Sequence, residues 1–230
     1  MSKKFLLIIL LFPVYLFAQQ KEQTIWLALI NSTRLSDKFS THLDVQIRTA
    51  DDADYIRTLI FRPGITYHIN KKNSLTAGYA YAEILGNPEV VNATNIIEHR
   101  PWEQYTLKYK INSTSISHRF RVEQRFLQRN NQNIFSQRLR YQARAVVPLK
   151  RDSVFKKGFY LSLQDEVFFN IQNKKKMNNK VFDQNRLSVS AGYRLSEKMD
   201  MDAGYLFNYI EGLHHNTANH ALLLTLNTRF

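Results

Sequence analysis

The chain has 230 residues, with 32 Lys and Arg against 19 Asp and Glu, a formal charge of +13, 44% hydrophobic residues and no cysteine. That size fits one domain. The missing cysteines exclude disulfides and thiol chemistry, and no apolar run reaches the roughly 20 residues of a spanning helix.

The predicted elements begin with a secretory signal peptide over 1–18. Lys3-Lys4 precede the apolar run Phe5 to Phe17, and Ala18-Gln19 offer the cleavage site. No Cys follows the run, which excludes a lipid-anchored lipoprotein. Residues 19–230 remain as one domain. Losing Lys3 and Lys4 takes the charge from +13 to +11 (13 − 2). For an exported chain this balance points to lipopolysaccharide phosphates, acidic sugars or small anions rather than nucleic acid.

A weak first strand over Thr24 to Arg34, around Trp26, Ala28 and Ile30, turns at Leu35-Ser36-Asp37-Lys38. Phe39, Thr41, Leu43, Val45 and Ile47 then alternate with Ser40, His42, Asp44, Gln46 and Arg48, the period of a β-strand. Tyr55 to His68 sets Leu59, Phe61, Ile65 and Tyr67 against Thr58, Arg62, Thr66 and His68, with a bulge expected at Pro63-Gly64 because Pro cannot donate to the ladder. Leu75 to Glu83 turns Leu75, Ala77, Tyr79 and Tyr81 outward.

The clearest stretch is the hairpin Glu98 to Phe126. Glu98, Arg100, Trp102, Gln104, Thr106 and Lys108 oppose Pro101, Tyr105, Leu107 and Tyr109. After Asn112-Ser113-Thr114, Ser117, Arg119, Arg121, Glu123 and Arg125 oppose Ile116, Phe120, Val122 and Phe126. The split repeats downstream. Ser136, Arg138, Arg140, Gln142 and Arg144 form one polar row, Tyr160, Ser162, Gln164 and Glu166 the next, and Arg186, Ser188, Ser190 and Arg194 the third. Asp200, Asp202 and Asn208 follow, and a last strand carries Leu222, Leu224, Leu226, Thr228 and the final Phe230 on one parity.

One face of Arg and Glu opposite a face of aromatics and aliphatics calls for two solvents, one wet and one oily. This predicts an all-β chain, an antiparallel up-and-down transmembrane β-barrel with a polar Arg/Glu-lined lumen. The expected location is the outer membrane of a Gram-negative bacterium, as a monomer in contact with lipid and lipopolysaccharide. Lys crowds the turns and loops, whereas Arg crowds the polar strand face, as a confined interior that pairs planar guanidiniums with carboxylates requires. A soluble barrel with its apolar face inward is the competing reading. Eleven strands are counted, where an even number, ten or twelve, is expected. Ten follows if Thr24 to Arg34 is not a full strand, and twelve if one strand escapes the pattern. Short connections (35–38, 69–73, 111–115, 196–198) alternate with long ones (84–97, 128–134, 171–183, 211–217), and 148–157 departs from that rhythm. Glu103, Gln124 and Asp165 fall on the apolar parity, so either a bulge swings them inward or they rise above the membrane.

The candidate lumen-lining residues are Glu98, Arg100, Trp102, Arg119, Arg121, Glu123, Arg125, Arg138, Arg140, Arg144, Glu166 and Arg186. They support a structural or binding barrel closed by salt bridges. An anion-preferring small porin for acidic oligosaccharides or phosphate-bearing solutes is the alternative, because the inward arginines outnumber the acids. A lipid-modifying barrel enzyme is the third reading, and Ser40 with His42 is the one pair of suitable types. No catalytic set, metal site or cofactor motif is assigned. His214-His215 and His220 lack a completing carboxylate, and the seven glycines form no phosphate-cradling loop.

Glu98-x-Arg100-x-Trp102-x-Gln104 and His118-Arg119-x-Arg121-x-Glu123-x-Arg125, with the early Trp26 and the Leu35-Ser36-Asp37-Lys38 turn, resemble the domain of unknown function 2490 family. Its members are exported proteins, mainly of the Bacteroidota, regarded as outer-membrane barrels with no established activity. The resemblance spans nearly the whole mature chain. It implies the fold and the location, and it brings no catalytic residues.

Overall fold

The computed structural model describes residues 19–91, 93–129, 132–150 and 155–230. The expected signal peptide, 1–18, lies outside them. Eleven strands follow one another in chain order: β1 (Gln19–Ser32), β2 (Phe39–Thr49), β3 (Ile56–His68), β4 (Asn73–Ile84), β5 (Ile96–Ile111), β6 (Thr114–Arg129), β7 (Gln132–Pro148), β8 (Gly158–Gln172), β9 (Phe182–Ser196), β10 (Met199–Ile210) and β11 (Asn216–Arg229). Each pairs with its sequence neighbours in a closed barrel, so no sheet edge is left open.

Successive pairs are antiparallel, but β1 and β11 close the barrel in parallel, from Gln19↔Asn216 to Ser32↔Arg229. The eleven strands counted from the sequence are those of the barrel, and the expectation of an even number, ten or twelve, is what falls. In an up-and-down chain of odd strand number, first and last strands run the same way, and the closing pair has to be parallel. The first strand was underestimated because Gln19 to Gln23 is polar, although this stretch pairs with Asn216 to His220. The seam also joins side chains, with Thr24 Oγ1 donating to Asn219 Oδ1 at 2.8 Å and Asn31 Nδ2 to Thr228 Oγ1 at 2.9 Å.

Other expectations also change. Pro63-Gly64 forms no bulge: Phe61↔Tyr81 and Gly64↔Gly78 keep one register, and the ladder skips only Arg62 and Pro63. Register shifts fall instead at Arg48/Thr49, Gln137/Arg138, Phe168/Phe169 and Met199/Asp200. No bulge rescues Glu103, Gln124 or Asp165, which stay on the outer parity. There Gln124 Nε2 donates to Glu103 Oε2 at 3.0 Å and Asn185 Nδ2 to Asp165 Oδ1 at 2.6 Å. The long loop expected over 128–134 shrinks because β6 and β7 pair out to Arg129↔Gln132.

The two faces are inverted relative to a barrel with an oily core. Leu163, Phe61, Phe120 and Leu222 are 46–51% exposed on the outside, while Arg121, Glu123 and Glu98 are each 1% exposed within. Two glycines shape the inner wall. Gly64 and Gly78 are cross-strand partners, and Gly78 pairs with Trp102. The indole lies flat in the slot they leave, so close that a Cβ on Gly78 would meet Trp102 Cζ2 without van der Waals clearance.

The parallel seam has a direct check in a chain that lacks native thiols. Strand spacing of about 4.8 Å brings directly paired Cα atoms within disulfide reach. Leu27→Cys with Leu224→Cys should cross-link under mild oxidation, whereas Leu27→Cys with Leu222→Cys, two residues out of register, should not. Equal cross-linking of both pairs on a non-reducing gel contradicts the register.

Candidate functional site

The inner polar rows of β2–β9 meet in the middle of the barrel. Alternation puts every second residue inside, and the ladder register decides which charges touch. Trp102 pairs with Glu123 and Glu123 with Arg138 along one hydrogen-bonding row. Glu123 accepts from Arg138 Nη2 at 2.6 Å, Arg138 Nε at 3.0 Å and Arg140 Nη1 at 2.5 Å. Glu166 accepts from Arg119 Nη2 at 2.6 Å and Arg140 Nε at 2.9 Å. Glu98 accepts from Arg100 Nη2 at 2.6 Å and Arg125 Nε at 2.5 Å. These are charge-assisted, partly bidentate contacts, the strong class of hydrogen bond.

The lattice extends further than the sequence indicated. Asp183 accepts from Arg138 Nη1 at 2.9 Å, and Asp44 from Arg62 Nη1 at 2.5 Å. Phe168, fully buried, lies under Arg138, Arg140 and Arg186 with guanidinium carbons 5.1, 4.5 and 4.6 Å from its ring centre.

Three of the central inner-face arginines lack a close carboxylate among the described residues. Each takes an amide oxygen and an aromatic face instead. Arg121 donates Nη2 to Gln104 Oε1 at 2.6 Å, stacks 4.3 Å over Trp102 and approaches Glu123 only to 4.0 Å. Arg48 donates to Gln46 Oε1 at 2.6 Å, 3.8 Å over Trp26. Arg186 donates to Gln184 Oε1 at 3.0 Å and lies 5.0 Å from the same indole. Centrally, Arg48, Arg62, Arg100, Arg119, Arg121, Arg125, Arg138, Arg140 and Arg186 face Asp44, Glu98, Glu123, Glu166 and Asp183, nine positive charges against five.

All twelve sequence-derived candidates lie on the inner face, but they do not form one cluster. Arg144 stands apart, 3.8 Å from Asp202, in a group where Asp200 pairs with Arg194 and Arg229, each at 2.8 Å. Ser40 and His42 are not partners: Ser40 Oγ lies 2.9 Å from His68 Nε2, and the His42 ring meets Trp102 edge-on at 5.7 Å between centroids. Among the described residues, no group of three or more His, Asp or Glu is placed to hold a metal ion. The contacts this interior shows are guanidinium–carboxylate pairing and guanidinium–ring stacking.

Glu123 is the test of this lattice. Glu123→Ala leaves Arg138 and Arg140 short of a counter-charge in a packed interior and should cost about 3–5 kcal/mol. Replacing Glu123, Arg138 and Arg140 together by apolar residues of similar volume should cost much less. Urea unfolding midpoints read both, and equal losses contradict the account.

A family model described as "Protein of unknown function (DUF2490)" matches residues 23–219. Comparison with curated proteins gives no match.

Proposed function

We propose that this chain, which belongs to the DUF2490 family, is a Gram-negative outer-membrane β-barrel that serves a structural or binding role, its interior closed by the arginine–carboxylate lattice. The observation that carries the reading is the inversion of faces. An exterior of Leu, Phe, Tyr and Met around a charged centre suits acyl chains outside.

Polar groups on the outer face support it. His99 pairs with Tyr79, His220 with Tyr205 at 2.5 Å, and His118 lies between the hydroxyls of Tyr109 at 3.2 Å and Tyr141 at 2.9 Å. In an oily medium an unpartnered donor is costly, and these pairs remove it. Asp165 is the eighth residue of β8 from Gly158, and Glu103 is the ninth of β5 counted back from Ile111. At the usual strand tilt that places both about 20 Å up from the turn side, near the loop-side border of an apolar band about 25 Å tall. They lie within the band just below that border, where the hydrogen bonds to Gln124 and Asn185 ease the cost of a carboxylate on this face.

The excess of arginine favours a second reading, a small anion-preferring porin. Against free conduction stand Trp102, Arg121 and Glu123, each 1% exposed, because a side chain lining an open channel keeps a wetted surface. The reading assigns no catalysis: Ser40, hydrogen-bonded to His68, is 4% exposed on the inner wall and turned away from the lipid side. The chain works as a monomer among lipid and lipopolysaccharide.

The expected result is retention in carbonate-washed outer membranes with heat-modifiable gel mobility, and no steady conductance from pure protein in planar bilayers. Release with the soluble fraction overturns the membrane assignment. Sustained anion-selective current replaces the closed barrel with the porin.

A further inference from the structure

The interior carries more positive charge than it neutralises. Arginine stays protonated in proteins, and an uncompensated charge in a packed interior is strongly unfavourable. Nine guanidiniums against five carboxylates therefore call for negative charge from elsewhere. The unsatisfied donors show where it belongs.

Around Trp102, five buried nitrogens have no hydrogen-bond partner among the described residues: Arg121 Nη1, Arg62 Nε, Arg119 Nε, Trp102 Nε1 and His42 Nε2. Their neighbours are built into the wall. Gly64 and Gly78 seat the indole, Arg121 covers its face at 4.3 Å, and the His42 ring meets it edge-on. The charges of Asp44, Arg121, Arg62 and Arg119 all reach His42, three positive against one negative. Each of these arginines spends one side of its fork elsewhere, Arg62 on Asp44, Arg119 on Glu166 and Arg121 on Gln104, and leaves another nitrogen free. Buried polar groups in native proteins are almost always satisfied, by protein, water or an ion. Asp44, Glu166 and Glu123 stand nearby, Glu123 4.0 Å from Arg121 Nη1, but the central arginines outnumber the carboxylates, so an anion satisfies both the donors and the excess charge.

We propose that the barrel interior holds a small inorganic anion, of the halide or phosphate class, bound by Arg121 Nη1 and Trp102 Nε1 with Arg62, Arg119 and His42 around it. The inference rests on the closed interior of the reading above and is independent of the membrane assignment. With Trp102 and Arg121 each 1% exposed, the occupant is a small ion and an integral counter-charge rather than a passing solute.

The test uses the full chain refolded in detergent, in gluconate buffer at constant ionic strength, titrated with chloride and separately with inorganic phosphate. The urea midpoint should rise saturably with one of the two, and which one identifies the class. Arg121→Gln should abolish the rise. Trp102→Phe, which keeps a ring but loses the N–H, should weaken anion affinity about ten- to a hundredfold, the worth of one hydrogen bond to a charged group. Should Arg121→Gln fail to fold, the Trp102→Phe titration and a bromide-soaked crystal decide, with an anomalous peak expected in contact with Arg121 Nη1. A midpoint that follows ionic strength alone, equal responses in wild type and the variants, or a crystal with only water at that position overturns the proposal.

Discussion

The structure depends on guanidinium–carboxylate pairing inside a closed sheet. Glu98, Glu123 and Glu166 each bind two arginines, and Arg138 and Arg140 each bridge two acids. A hydrophobic core holds a soluble barrel together by area and tolerates small shifts. This interior works by direction, since a forked donor displaced by one residue meets the wrong partner or none. The charged lattice therefore fixes register across β5–β9 more tightly than oily packing does. The gain in net stability is modest, because buried ion pairs roughly offset their own desolvation.

Aromatic rings complete the interior where carboxylates are lacking. Trp26, Trp102 and Phe168 each lie beneath at least one guanidinium. Cation–π contact strengthens when the pair is desolvated, so a ring is a workable neighbour for a charge that lacks an acid. Gly64 and Gly78 make this possible for Trp102 by keeping the facing wall bare. On β9, Gly192 does the same for Tyr160, whose ring occupies the space a Cβ would take.

The facing of each strand was legible because a period of two fixes it locally. Arg121 follows Arg119 inward whatever the rest of the barrel does. The partner of each arginine was not legible, since Arg138 reaches Asp183 through the β7–β8–β9 arrangement and not through any sequence spacing. Asp183 itself was hidden at the end of an Asn- and Lys-rich run that reads as loop. Phe168 was hidden within Val167-Phe168-Phe169, three apolar residues beside a register shift, where alternation gives no contrast. The parallel closure joins the two ends of the chain, and no local pattern marks a pairing that distant. The family match adds membership without adding a role, so the site's meaning rests on its charges.

The central claim is that the rings and aliphatic chains outside face lipid while both tryptophans, Trp26 and Trp102, sit on the inner wall among arginines. Fluorescence quenching by brominated acyl chains tests it most directly. In vesicles the native pair should be nearly unquenched, while Leu163→Trp on the outer face should add emission that brominated lipid extinguishes. If aqueous acrylamide quenches the added indole and brominated lipid does not, the exterior faces water and the account fails.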